Sequence, residues 1–261
     1  MKRLLLFIPI ILTAFNEPSR VNAFTALGSG AFFNNKTAGT TWAIATTLGY
    51  ASGTLVILCI ANDNLSTTDG DNGDVISVSD NNGNSYTKAK QFTNGQGSAA
   101  SGACSSIWFC IMNGSGIGTT TTVTFNGSVT AKAAHFRSFS IGSGNQVVVQ
   151  ASGTIANDGA DAGSISLSSL PSKEYLFVRS CAIENNTATN TTSTNYTQLT
   201  GQTGTTGGSS VTNMWIQSEY RIVTATSSST DPTTGSADIA STMVAFYEAP
   251  AGNPRRITVI Q

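Results

Sequence analysis

The sequence predicts an all-β protein, a β-sandwich of jelly-roll or Ig-like type built from two pseudo-repeated halves. Three observations point there. Ser, Thr, Asn and Gly supply 116 of the 261 residues, types that suit exposed strand faces and turns and disfavour helix interiors. Residues 54–61 (TLVILCIA) form an apolar, β-branched run bounded by Ala51-Ser52-Gly53 and Asn62-Asp63-Asn64. That is the length of a strand buried on both faces and short for a helix. Residues 175–183 (YLFVRSCAI) echo it after Leu170-Pro171-Ser172, again with a Cys and again closing on Asn185-Asn186.

Taken in order, residues 24–47 place Phe24, Leu27, Phe32, Phe33, Trp42 and Ile44 among Gly and Asn, which reads as one or two strands at a sandwich edge. The central run at 54–61 follows. Residues 62–74 are a polar, acidic loop, and 75–79 (VISVS) is a strand leading into Asp80-Asn81-Asn82-Gly83-Asn84. An Asn-Gly between strand-like runs signals a hairpin with a type I′ turn, because both residues tolerate positive φ. After a Gly/Ser/Ala loop at 94–103 come a continuous apolar run at 106–112 (SIWFCIM) and a weakly alternating strand at 119–125. The strand at 131–141 sets Ala133, His135, Arg137 and Phe139 against Ala134, Phe136 and Ser138.

Residues 142–163 are mostly Gly, Ser, Ala and Asp around a short strand at 146–151. Beyond them the order recurs. Asn195-Tyr196-Thr197 echoes Ser85-Tyr86-Thr87, Met214-Trp215-Ile216 echoes Ile107-Trp108-Phe109, and 241–247 echoes 134–140. Trp108 to Phe139 and Trp215 to Phe246 are each 31 positions apart. The domain reading is therefore an arm or signal at 1–23, a first β half at 24–145, a second at 146–250 and a C-terminal extension at 251–261, with the halves forming one sandwich in preference to two.

Composition narrows function. The formal charge is −1 and the thirteen Lys and Arg are scattered, so the basic footprint of a nucleic-acid partner is missing. Cys59, Cys104, Cys110 and Cys181 lack CxxC spacing and a His cluster, which speaks against zinc. They fit small buried hydrophobes, or disulfides pairing Cys104 with Cys110 or Cys59 with Cys181. Residues 1–23 carry Met1-Lys2-Arg3, an apolar stretch at 4–15 and Val21-Asn22-Ala23. They read either as a secretory signal or as a retained apolar arm buried against a neighbouring subunit; with Pro9 inside, the stretch is short for a bilayer span.

Candidate chemistry is sparse. His135, the one histidine, has no local carboxylate and reads as a structural residue. No Gly-x-Ser-x-Gly elbow with a following acid and His can be assembled. Glu174, Glu184, Glu219 and Glu248 read as strand-end or solvent-facing residues rather than a hydrolytic pair. Asp69-Gly70-Asp71-Asn72-Gly73-Asp74 gathers oxygen ligands in the manner of a calcium loop, with Asp69, Asp71 and Asp74 as candidate metal ligands. Gly73 at the fifth ligand position breaks the EF-hand pattern, so the loop is either a solvated tip or a structural calcium site.

The series Gly53-Thr54-Leu55-Val56, Val78-Ser79-Asp80, Gly83-Asn84-Ser85-Tyr86-Thr87, Phe92-Thr93-Asn94-Gly95-Gln96-Gly97, Val123-Thr124-Phe125 and Val129-Thr130-Ala131-Lys132-Ala133-Ala134 resembles a group of β-rich virion structural proteins in tailed bacteriophages. Met214-Trp215, Arg221-Ile222 and residues 228–232 are similar to the continuation of that group, so the likeness spans about 50–248. It implies a non-enzymatic particle component: a head decoration (cement) or head-fibre protein, or a tail component. The expected partners are the capsid and copies of the chain itself, as a homo-oligomer with a trimer as the guess, reached through the N-terminal arm and the C-terminal extension. There the strand-like residues 257–260 (ITVI) are placed to add to a neighbour's sheet edge. The alternative is a secreted or cell-surface adhesive module that binds host-surface glycan by stacking on Trp42, Tyr50 and Tyr86.

Overall fold

The computed structural model describes residues 24–97, 101–186 and 190–250. Expectations that fall on 1–23 and 251–261 lie outside the described residues. Eight strands make up the first half: β1 (Thr25–Asn35), β2 (Gly39–Ala45), β3 (Leu55–Asp63), β4 (Val75–Asp80), β5 (Thr87–Asn94), β6 (Ala103–Ile111), β7 (Thr120–Val129) and β8 (Lys132–Ser140). Eight more follow: β9 (Asn145–Ala160), β10 (Ile165–Leu167), β11 (Lys173–Glu184), β12 (Thr197–Gln198), β13 (Thr203–Gly204), β14 (Trp215–Ala225), β15 (Ser228–Thr230) and β16 (Ala237–Pro250). Among the described residues the one helical element is a 3-10 turn at Ser210–Thr212. The protein is an all-β sandwich.

The strands form four sheets, all antiparallel. In the first half β1-β8-β3-β6-β5 faces β2-β7-β4; in the second, β9-β16-β11-β14-β12 faces β10-β15. The order 1-8-3-6 against 2-7-4 follows that of a jelly roll, except that β5 pairs with β6 instead of joining the small sheet. The larger sheets follow the same path when β1, β8, β3, β6 and β5 are replaced by β9, β16, β11, β14 and β12. No sheet draws strands from both halves; each half supplies one of the two larger sheets. What the halves share is the core between the two larger sheets.

Alternation along the strands explains the layering. On β3, Leu55, Ile57, Cys59 and Ala61 point into the shared core, where they meet Leu176, Val178 and Ala182 of β11 and Val244 and Phe246 of β16. Val56, Leu58 and Ile60 point the other way, onto Trp42, Val78, Val123 and Phe125 of the small sheet. A strand with apolar layers on both faces has no polar side, which is why 54–61 reads as a continuous apolar run. In the second half Tyr175, Phe177, Met243 and Ala245 pack under Ile165 and Leu167 of the β10-β15 pair. Phe139 and Phe246 hold matching places, opposite Leu55 and Leu176. Trp108 and Trp215 do not: Trp108 lies opposite Leu58, Trp215 opposite Ile183.

The Asn-Gly signal gives a short hairpin turn, in which Ser79 bridges Ser85 and the Asp80 and Tyr86 amides donate to Asn84 O and Val78 O, but the pairing goes no further. β4 pairs with β7 and β5 with β6, so the turn passes the chain from one sheet to the other. Gly83 has φ +83 while Asn82 is not among the positive-φ residues, so the two positive φ values of a type I′ turn are not met. The Asp80 carboxylate organises the turn instead, accepting from the amides of Asn82, Asn84 and Gly118.

The halves also touch at their edges. β1 is carried across the Leu199–Thr200 backbone at Gly30, where an added Cβ would lie 2.3 Å from the Leu199 carbonyl oxygen, so only glycine fits. Asn34 Nδ2 donates to Thr203 Oγ1 at 3.1 Å beside it. At the opposite side Asn94 Nδ2 donates to Asn157 O at 3.2 Å, tying β5 to β9.

Candidate functional site

The polar side chains are best followed through the carboxylates. Among the described residues there are thirteen, and eleven of them, all but Asp158 and Asp231, accept a hydrogen bond from a backbone amide. Most of these amides belong to loops. The four body glutamates, expected at strand ends or in solvent, are the clearest case. Glu184, Glu219 and Glu248 are buried. Glu174 Oε1 takes the Phe24 amide at 3.0 Å and Glu184 Oε2 the Gly102 amide at 2.9 Å, each joining the two halves. Glu248 Oε2 holds the link between the halves, by the Gly142 amide at 2.9 Å and Asn145 Nδ2 at 2.7 Å. Glu219 fixes Ser193 through its amide at 2.8 Å and its hydroxyl at 2.5 Å. A loop amide facing the interior needs an acceptor, and a carboxylate is the strongest on offer. These partners are 26 to 150 residues away in sequence, so no local signal reveals them.

The proposed calcium loop is divided in the same way. Asp69 Oδ1 accepts from the Gly95 amide at 2.9 Å, and Asp74 Oδ2 from the Leu65 amide at 2.9 Å. Asp71 is exposed, pairs with Lys88 at 3.0 Å and takes Gln91 Nε2 at 2.9 Å. Asp74 is fully buried, and burial pushes its pKa up against the Leu65 amide bond. Asp69 and Asp71 turn to β5 and the residue after it while Asp74 turns inward. Among the described residues no group of three or more His, Cys, Asp or Glu side chains is placed to hold a metal ion.

Between the two larger sheets lies a buried polar layer. His135 Nδ1 and Ser218 Oγ are 2.7 Å apart, Ser105 Oγ donates to Ser180 O at 3.0 Å, and Ser105 Oγ and Thr242 Oγ1 are 3.1 Å apart. Cys59 stands opposite His135 across β3 and β8, with the Ser180 and Ser218 hydroxyls beside its thiol. A thiol, an imidazole and a hydroxyl in one place resemble a nucleophile with its base. The environment opposes that use. Burial pushes the thiol up to about 12 and the imidazole down to about 3, so both are neutral, and His135 is 1% exposed. A thiol far above its ordinary range supplies no thiolate. What the layer does is hold one sheet at a fixed register on the other: sliding by a residue would bury these groups without partners.

A second polar cluster lies under the small β10-β15 sheet. Arg179, fully buried, donates from Nη1 to Thr230 O at 3.0 Å and Thr230 Oγ1 at 2.8 Å, and from Nη2 to Ala162 O at 3.0 Å. It thereby pegs one end of that sheet, where β10 begins and β15 ends, to β11.

The four cysteines are free. Cys104 and Cys110 are six residues apart on one extended strand, about 20 Å at the usual rise, so they cannot bond. Cys59 faces the shared core and Cys181 the opposite face of its own sheet. Trp42, Tyr50 and Tyr86, the candidates for stacking on a glycan, are 5%, 9% and 6% exposed and belong to the first-half core; their faces are covered by protein. Comparison with protein-family models, with curated proteins and with solved structures gives no match for this chain.

Proposed function

We propose that the chain is a non-enzymatic structural protein of a tailed-bacteriophage virion, a surface decoration or head-fibre protein that binds the capsid and its own copies. Its two halves are, on this reading, copies of one jelly-roll unit. The observation that carries it is the employment of the carboxylates. Acid–base and metal chemistry draw on just these groups, and among the described residues eleven of thirteen are engaged as acceptors for backbone amides. A chain that places its ionisable groups this way gains a rigid outline. The resemblance spanning residues 50–248 supplies the particle.

Quantitative mass spectrometry of gradient-purified virions from the phage that encodes the chain is the test. A constant copy number per particle, with peptides from the N-terminal region present, supports the proposal. Absence from particles, with secreted chain starting at Phe24 in the medium, overturns it.

A further inference from the structure

The two larger sheets end on four strands, and three of those edges are protected. β1 is crossed by the Leu199–Thr200 backbone at Gly30, β5 carries Lys88 and Lys90, and β12 is two residues long. Covering, lysines and shortness are the usual means of stopping an open edge from pairing with another chain. β9 has none of them before Asn157, where Asn94 of β5 reaches it. It runs for sixteen residues and pairs with β16 on one side only. From Asn145 to Asn157 it holds no charge and no proline. A register shift sets Gln150 out of the ladder, but Val147, Val148 and Val149 on one side and residues 151–157 on the other remain in regular pairing.

We propose that the free edge of β9 receives residues 257–260 of a second copy as an added strand. The inference rests on the homo-oligomeric reading above and names its contact. β16 delivers the chain at Pro250, opposite Asn145, the first residue of β9. The eleven residues that follow therefore leave beside the end of the open edge. Within them Ile257-Thr258-Val259-Ile260 is an uncharged, β-branched run that matches Val147-Val148-Val149 in character. The six residues before it, Ala251 to Arg256, span about 20 Å when extended, ample to reach a neighbour. Returning to its own β9 from that end, the run could pair only in parallel. On a second copy it can lie antiparallel, the more stable ladder, so the second copy is the occupant. Backbone pairing of this kind gives affinity while the side chains on alternate sides set the fit.

Sedimentation velocity of the full chain across a concentration series tests this, with two double variants. Ile257→Asp with Val259→Asp spoils the donor run. Gln146→Lys with Ser152→Lys charges the acceptor edge at two exposed side chains and leaves the core intact. Wild type should self-associate, and each double variant should weaken association by about tenfold or more at unchanged Tm. Mixed together, the two variants should form heterodimers, since one keeps the edge and the other the run. Association that persists undiminished in both variants overturns the inference while leaving the virion role standing. So does slow exchange, in the dilute monomer, of the β9 amides that point away from β16, which would mean that the chain covers its own edge. A wild-type chain that stays monomeric at every concentration and is absent from particles overturns both.

Discussion

Arg179 on β11 and Glu219 on β14 stand directly opposite each other, at the register position that Leu58 on β3 and Trp108 on β6 hold in the first half. The equivalence follows from Leu55 and Leu176, which face Phe139 and Phe246 in the same way three residues earlier. One half fills the position with an apolar pair, the other with two opposite charges. These charges do not bond each other: the guanidinium turns to Thr230 and Ala162, the carboxylate to Ser193. The difference goes with what lies above. The first half has a three-stranded outer sheet to cover an apolar pair; the second has two strands of three residues, which Arg179 holds down by hydrogen bonds.

Arg179→Met should therefore cost about 3–5 kcal/mol, because it frees the β10-β15 sheet and leaves Glu219 buried without its nearby charge. The variant that copies the first half, Arg179→Leu with Glu219→Trp, should remain less stable than wild type, since Ser193 loses its acceptor. Chemical denaturation with the two-state m value checks both.

Glu184 faces Asp238 across β11 and β16. Burial, and after it the Asp238 carboxylate, push its pKa up to about 7 against the Gly102 amide bond. The folded state then holds a proton that the unfolded chain has lost, so this contribution to stability is full below the ordinary carboxyl range and disappears as pH rises through about 7. Allowing for screening, about 2 kcal/mol is at stake. Glu184→Gln should stay constant where wild type declines, and the difference in Tm between them from pH 5 to 8 measures it.

His135 acts in the opposite sense. Its imidazole is pushed down to about 3 by burial, so below its ordinary range the unfolded state takes up a proton that the folded state refuses. Stability is full above pH 6.5 and falls as pH drops toward 3. Between about pH 4.5 and 6.5 the His135 and Glu184 slopes oppose each other, so wild type is flatter than either variant. His135→Gln should remove the acid-side slope at the cost of about 1–3 kcal/mol from the lost Ser218 contact, read as Tm against pH.

Asp74 is buried against the Leu65 amide, so Asp74→Ala should destabilise by about 1–3 kcal/mol. Asp71→Ala, at an exposed ion pair, should change stability by less than about 1 kcal/mol. Added calcium or a chelator should leave Tm within error of the untreated protein, since the three aspartates serve separate loop contacts.

Of the four thiols Cys110 alone is part-exposed, with its pKa pushed up to about 11 by burial and by Asp80. Iodoacetamide at mild alkaline pH should label Cys110 slowly and leave Cys59, Cys104 and Cys181 untouched until the protein unfolds. Peptide mapping of folded and denatured samples distinguishes this from uniform labelling.

What could be read from the sequence follows from what is local. β3, β6 and β11 are apolar on both faces because each lies between two layers, and such strands announce themselves as continuous runs. β9 was legible only at 146–151. Its remaining residues, Ser152 to Ala160, look like linker and become strand because β16 offers them a partner along its length. The Asn82-Gly83 turn was visible, but its use to change sheets depends on Asp80 and Gly118, 38 residues apart. Glu174, Glu184 and Glu248 do stand at or near strand ends, but the burial of Glu184, Glu219 and Glu248 was hidden for the same reason: an acceptor for a distant loop amide looks like any surface carboxylate until the chain is folded.

The most direct test of the central claim is a reconstruction of the intact virion by electron cryomicroscopy at a resolution that separates strands. The account expects the four-layered body on the outer surface of the particle, in fixed copy number, with its shared core closed between the two larger sheets. Particles that carry no such density, while the chain accumulates free in the medium, would contradict it.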